Sequence, residues 1–272
     1  SMDRTQEGKN KQELYHRNMI YFMKHGVDCR SQDTVFVVTR EVRPHYQDQI
    51  RKMNLKCLPH NHSVQLLVRE PECYDLETVR TVFFNSNVNV ASYDYFVYVN
   101  CGMSGPFVNE RDKQLPWTNQ LISLLNDNVR MSGLTAYCPT SPRREHVQSF
   151  VYALDRVGLD IILNSNAIFD CKQVGFTWSL TRYIVYNYEI GMGQAILNSG
   201  HGLASLLPRI VIMPENRTKC SNFDIWGKSG LTKKFGHIPS CNETLFFKSS
   251  RMLTKEVAQM IEYPGEPHWL KK

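Results

Sequence analysis

The feature that most constrains this chain is a recurring pattern. Short apolar runs, rich in β-branched residues, are each followed by a polar turn and an amphipathic stretch. Thr34-Val-Phe-Val-Val38, Val64-Gln-Leu-Leu-Val68 and Tyr95-Phe-Val-Tyr-Val99 are such runs. Apolar residues at nearly every position mark strands covered on both faces. The segments 45–53 and 74–84 that follow the first two read as helices, which makes two βα units. Further strands are expected at 129–137 and 150–154, and helices at 117–127, 157–163 and 181–199, the last stopped by Gly200. In 117–127, Trp117, Leu121, Leu124 and Leu125 fall on one face. An amphipathic helix over 11–26 comes first. After Pro208 the pattern dissolves into Pro, Gly, Lys and Asn, with one more apolar stretch at 245–247. Strands alternating with helices predict one Rossmann-like α/β domain with a mostly parallel central sheet flanked by helices. Residues 1–30 form an N-terminal helical extension in this reading, and 209–272 an irregular C-terminal region.

Composition excludes several other classes. With 42% hydrophobic and 21% charged residues, the 272-residue chain is neither disordered nor fibrous. No run reaches the roughly 18 apolar residues of a spanning helix. Ser1-Met2 reads as a cloning remnant, so a signal peptide or membrane anchor is expected to have been removed. The net charge of +6 is scattered in pairs such as Arg143-Arg144 and Lys233-Lys234. A nucleic-acid interface would show a basic stripe interleaved with aromatic residues, so nucleic acid is not expected as a partner. Eight cysteines with no C-x-x-C pair argue against zinc ribbons. Their even number, with sequons at Asn61, Asn216 and Asn242, points to disulfides and the lumen of the ER or Golgi, with the cytoplasm as the alternative.

In open α/β sheets, ligands collect beyond the carboxyl ends of the strands. Those ends hold Thr39 and Arg40, then 69–75, then 100–105. Neither a dinucleotide fingerprint nor a P-loop occurs there.

A resemblance narrows the reading. Tyr93-Asp-Tyr-Phe-Val-Tyr-Val-Asn100 is followed by Gly105-Pro-Phe107, Trp117, Val129-Arg-Met-Ser-Gly133, His146-Val-Gln-Ser149 and Asp155-Arg-Val-Gly-Leu-Asp160. Arg69-Glu-Pro-Glu-Cys-Tyr-Asp75 lies upstream; Glu189-Ile-Gly, Gly200 and Phe246-Phe-Lys248 lie downstream. In this order, over roughly residues 16 to 250, the motifs resemble a family of glycosyltransferase-like proteins of protists, algae and fungi. That family is related to the capsid-glycan glycosyltransferases of large algal viruses. The resemblance implies a GT-A fold, a nucleotide-diphosphate sugar donor, and transfer to an acceptor hydroxyl on a glycan or glycoprotein.

Within that frame, Thr39, Arg40, Arg69, Asp75, Asn100 and Gly102 are the expected donor-binding residues. The arginines, with Arg43 nearby, would face the diphosphate, and Asp75 would accept from a sugar or ribose hydroxyl; alternatively, Arg69 and Asp75 form an ion pair tying the loop to its helix. Gly102, Gly105 and Pro106 either let the backbone approach the donor or form a tight turn. Many metal-dependent members of this fold carry Asp-x-Asp where this chain has Asn100-Cys-Gly102. That departure puts a divalent Mn or Mg ion in doubt, with Asn100 as its one neutral ligand, and leaves a metal-independent transferase. It also leaves open an inactive, glycan-binding or scaffold protein on the same fold. Asp155 is the expected catalytic base, though an Asp there equally serves as a helix N-cap; Glu189 is the second catalytic carboxylate. His146 and Gln148 are expected to contact the acceptor, against a structural role for the histidine.

Overall fold

A computed structural model of the chain describes residues 2–69, 75–85, 88–108, 115–138, 144–168, 170, 181–207, 209–219, 240–241, 243–249 and 254–263. Helix α1 (Met2–His25) leads into β1 (Thr34–Thr39), α2 (Arg43–Cys57), β2 (Val64–Arg69), α3 (Glu77–Asn85), β3 (Tyr95–Val99) and the two-residue β4 (Met103–Ser104). Then come α4 (Asn119–Ile122), β5 (Val129–Tyr137), β6 (His146–Val147), β7 (Val151–Asp155) and α5 (Arg156–Leu163). Helix α6 (Thr181–Ile184) passes through a π-helical turn, Val185–Glu189, into α7 (Ile190–Asn198). Strands β8 (Gly202–Leu207), β9 (Ile210–Ile212) and β10 (Phe247–Lys248) and helix α8 (Lys255–Met260) follow.

The mixed α/β class is as expected, and every apolar run read as a strand is one. Parallel pairing joins β1 to β2, from Thr34↔Val64 to Thr39↔Arg69, and β5 to β8. The central sheet has the order β3-β7-β5-β8-β9, with β6 on β5. Here the expectation of a mostly parallel sheet is corrected: β7 runs antiparallel to both β3 and β5, and β9 antiparallel to β8. For β9 the cause is connection length, because a parallel neighbour needs a crossover and the two-residue link from β8 allows only antiparallel return. Strands β8 and β9 also fall where no strand was expected. β8 is built from Gly202-Leu-Ala-Ser-Leu-Leu207, without a β-branched residue, and the parallel partner β5 holds it in place.

Alternation distributes the core. On β7, Tyr152 and Leu154 pack with Leu159, Ile162 and Ile196 on one face of the sheet. Val151 and Ala153 pack with Trp117, Leu121 and Phe246 on the other. A separate cluster of Phe36, Val38, Tyr46, Ile50 and Val64 lies between the β1–β2 pair and α2. A Cys29–Cys57 disulfide bridges the approach to β1 and the end of α2. The stretch expected to be irregular contributes β9, β10 and α8, and Phe246 and Phe247 are fully buried.

The Tyr93 hydroxyl donates to Asp33 Oδ2 at 2.8 Å. Because Asp33 precedes β1 and Tyr93 precedes β3, the two strands start at the same edge, and Arg69, Asp75 and Asn100 gather at the opposite one. Among the described residues, β1 pairs only with β2 and β3 only with β7. Their remaining edges line one cavity of 640 Å³ through four consecutive residues, Thr34 to Val37, and five, Tyr95 to Val99.

Candidate functional site

At the carboxyl ends of β2 and β3 lies a second cavity, 250 Å³, walled by Asp75, Asn100, Gly102, Ser149, Glu189 and Lys248. It shares Asp75, Asn100 and Met103 with the larger cavity, so the two adjoin. Three of the expected donor residues and one expected catalytic carboxylate therefore meet at one place.

Local structure explains how they arrive there. Asn100 follows the last residue of β3, and its backbone N–H donates to Phe150 O at 2.8 Å, which locks the end of β3 to the start of β7. Its carboxamide is used at both ends: Nδ2 donates to Asp75 Oδ2, and Oδ1 accepts from the Gly102 N–H at 2.6 Å. Space is tight at Gly102. A Cβ there would stand 3.0 Å from Asn100 Oδ1 and 3.7 Å from the Tyr15 ring. Gly105 has a different task. Its φ of +141° and its contacts with Leu245 and Phe246 put it against the core rather than the cavity, so of its two readings the packed turn is correct.

Glu189 is the last residue of the π-helical turn, a local widening that re-aims side chains and recurs at functional sites. Its Oε1 accepts from both the N–H and the hydroxyl of Ser149, at 3.1 and 3.0 Å. Burial, foremost, and the charge of Glu189 push the Asp75 carboxyl above the ordinary range, while Arg69 pulls it down. Two carboxylates thus act on each other across the cavity, with one biased toward its proton. Burial, then Cys101 and Asp75, push the Tyr15 hydroxyl up to about 12, so at neutral pH it can only donate its proton in a hydrogen bond or accept one. Lys248 Nζ lies 4.1 Å from the centre of the Phe150 ring, held over the cavity wall by a cation–π contact.

Other expected site residues lie elsewhere. Asp155 pairs with Tyr95, at the far end of β3 from Asn100. Its Oδ1 accepts from the Gly158 N–H at 2.7 Å as the N-cap of α5, and its Oδ2 accepts from Arg130 at 2.7 Å. It fulfils the cap reading. His146 and Gln148 are both buried in the β5–β6 corner. His146 Nδ1 lies 2.7 Å from Arg144 O, and Gln148 Oε1 accepts from Thr135 at 2.7 Å. Thr39 ends β1 opposite Arg69, with Arg40 exposed beyond it; neither lines the smaller cavity. Arg69 lines the larger one.

The Asn100 side-chain oxygen accepts from the Gly102 N–H, which takes up one of its two lone pairs. Among the described residues, no three His, Cys, Asp or Glu side chains converge as ligands. Ser149, Lys248 and Tyr15 were not singled out from sequence. Lys248 could have been, since it closes the Phe246-Phe-Lys248 motif; Tyr15, on a helix far along the chain from the site, carried no signal.

No family model matches the chain, and no curated protein matches it. A solved structure that it resembles is the crystal structure of a glycosyltransferase involved in the glycosylation of the major capsid of PBCV-1. The likeness has 12% identity and a TM-score of 0.30, over 57% of this chain and 75% of that one.

Proposed function

We propose that the protein is a glycosyltransferase that moves a sugar from a nucleotide-diphosphate donor to an acceptor hydroxyl on a glycan or glycoprotein. The observation that carries this reading is the cavity in which Asp75, Asn100 and Glu189 meet with Lys248 on its wall. Both Ser149 donors go to Oε1 of Glu189, which fixes the carboxylate and leaves Oε2 as the atom that takes a proton. A lysine, with Arg69 behind it, is suited to a diphosphate. The ordered motifs that resemble glycosyltransferase-like proteins support the same class. At 250 Å³ the cavity has room for a sugar ring and phosphate, and the adjoining 640 Å³ gives a nucleoside a place.

In this mechanism the acceptor oxygen attacks the anomeric carbon. The new C–O bond forms as the bond to the β-phosphate oxygen breaks, and the hydroxyl proton passes to the Glu189 carboxylate. The departing nucleoside diphosphate keeps the bonding electron pair, and Lys248 and Arg69 stabilise its added charge. Asp75, biased toward its proton, orients Asn100 and a sugar hydroxyl. Action in the ER or Golgi lumen is the companion proposal, supported by the Cys29–Cys57 disulfide and the sequons.

The test is saturable binding of UDP, GDP or dTDP, with and without Mn²⁺, followed by donor turnover. Indifference to every nucleotide and nucleotide sugar contradicts the proposal. The absent Asp-x-Asp favours a second reading, a non-catalytic glycan-binding or scaffold protein. A glycan-array signal without nucleotide binding is its signature.

A further inference from the structure

Helix α1 reaches the candidate site through one buried residue. Asn18 is 1% exposed, and Ser104 and Ser249 are fully buried beside it. An uncharged amide in the middle of a helix, sealed from water, needs partners for all its polar groups. Asn18 Nδ2 donates to Cys101 O at 2.9 Å and to Ser249 Oγ at 2.8 Å. Ser104 Oγ donates to Asn18 Oδ1 at 2.7 Å, and the two serine oxygens are 2.6 Å apart.

Proton accounting gives these contacts a direction. Ser104 spends its one hydroxyl proton on Asn18 Oδ1, which can only accept. Ser249 must therefore supply the proton between the two serines, while its oxygen accepts from Asn18. The bonds close into a one-way ring, Asn18 to Ser249 to Ser104 and back to Asn18, and the second amide proton of Asn18 is left for Cys101 O. The Ser249 N–H adds a bond to Gly102 O at 3.0 Å. The peptide held in this way lies between Asn100, which grips Asp75, and Gly102, which Asn100 caps.

We infer that Asn18 is a positioning residue for the site: through Cys101 O it sets where the Asn100–Gly102 turn stands, and through that turn the placement of Asn100 and Asp75. The inference rests on the transferase reading only for the ligand involved. It makes α1 part of the site's construction rather than an appendage to the domain.

The variants separate holding from mere packing. Ser104→Ala and Ser249→Ala each open the ring but keep the Asn18 to Cys101 bond, whereas Asn18→Ala removes it. The measurements on the full chain are amide hydrogen exchange, thermal midpoint and the Kd for UDP or GDP. All three variants are expected to lower the midpoint. Only Asn18→Ala is expected to raise exchange at Cys101 and Gly102 at least tenfold and to weaken nucleotide binding about tenfold. Unchanged exchange in Asn18→Ala overturns the inference, as does the same loss of affinity in all three variants or faster exchange with unchanged affinity. A wild-type chain that binds no nucleotide overturns the proposed function, and the exchange comparison still decides whether Asn18 holds the turn.

Discussion

Asp75 and Glu189 divide the work of the site because their surroundings differ. Asp75 is raised by burial first and by Glu189 second. A carboxyl whose folded pKa lies above its unfolded value binds protons more tightly when folded. Its contribution is therefore favourable at low pH and is lost as pH rises through the unfolded and then the folded value. Above the folded value, holding the carboxylate ionised in this buried position costs stability. Asp75→Asn is accordingly expected to raise the melting midpoint at pH 7 by a few degrees while impairing transfer, as sites built against stability do. Calorimetry with a turnover assay checks both halves, and a lower midpoint would contradict the cause assigned. Glu189→Gln is expected to keep donor binding and lose transfer by about 10²- to 10⁴-fold, the usual worth of a general base; separate measurement of Kd and kcat reads this out. Gly102→Ala pushes a methyl group toward Asn100 Oδ1, 3.0 Å away. That change is expected to weaken nucleotide binding more than it lowers the midpoint.

Elements were more legible in the sequence than their directions. The run Tyr95-Phe-Val-Tyr-Val99 announces a buried strand, and the search beyond its carboxyl end led to Asn100 and Gly102, where the cavity lies. Nothing in a both-faces-buried run says which way its neighbour points, and so antiparallel β7 was not foreseen. Asp155 shows the consequence. It follows an apolar strand and precedes a helix, the same local pattern as a strand-end ligand, but β7 runs backward and carries it to the opposite edge. Asp155→Ala is expected to cost about 2 kcal/mol, from the lost cap and Arg130 partner, and to leave transfer within about twofold; denaturant unfolding and turnover check the two claims. Glu189 was legible as a carboxylate on a long helix, whereas the π-helical turn on which it sits leaves no periodic trace.

At the scale of the whole molecule, the β1–β2 pair and the central sheet are joined at one edge by Asp33 and Tyr93 and at the other by the site itself. Burial would raise the Asp33 carboxyl, but the Ser63 N–H, the Tyr93 and Ser63 hydroxyls and His62 outweigh it and hold the pKa below the ordinary value. Its stabilisation is thus present above the unfolded carboxylate range, about 4, and lost as pH falls through the lower folded value. The midpoint gap between wild type and Asp33→Asn is expected to be constant above about pH 5 and to shrink below about pH 4. The account as a whole turns on where a donor's diphosphate sits. A crystal grown with UDP or GDP answers this: the phosphates should lie within hydrogen-bonding distance of Lys248 or Arg69, beside Asp75 and Asn100. Phosphates bound away from those residues, with the cavity left to solvent, would contradict it.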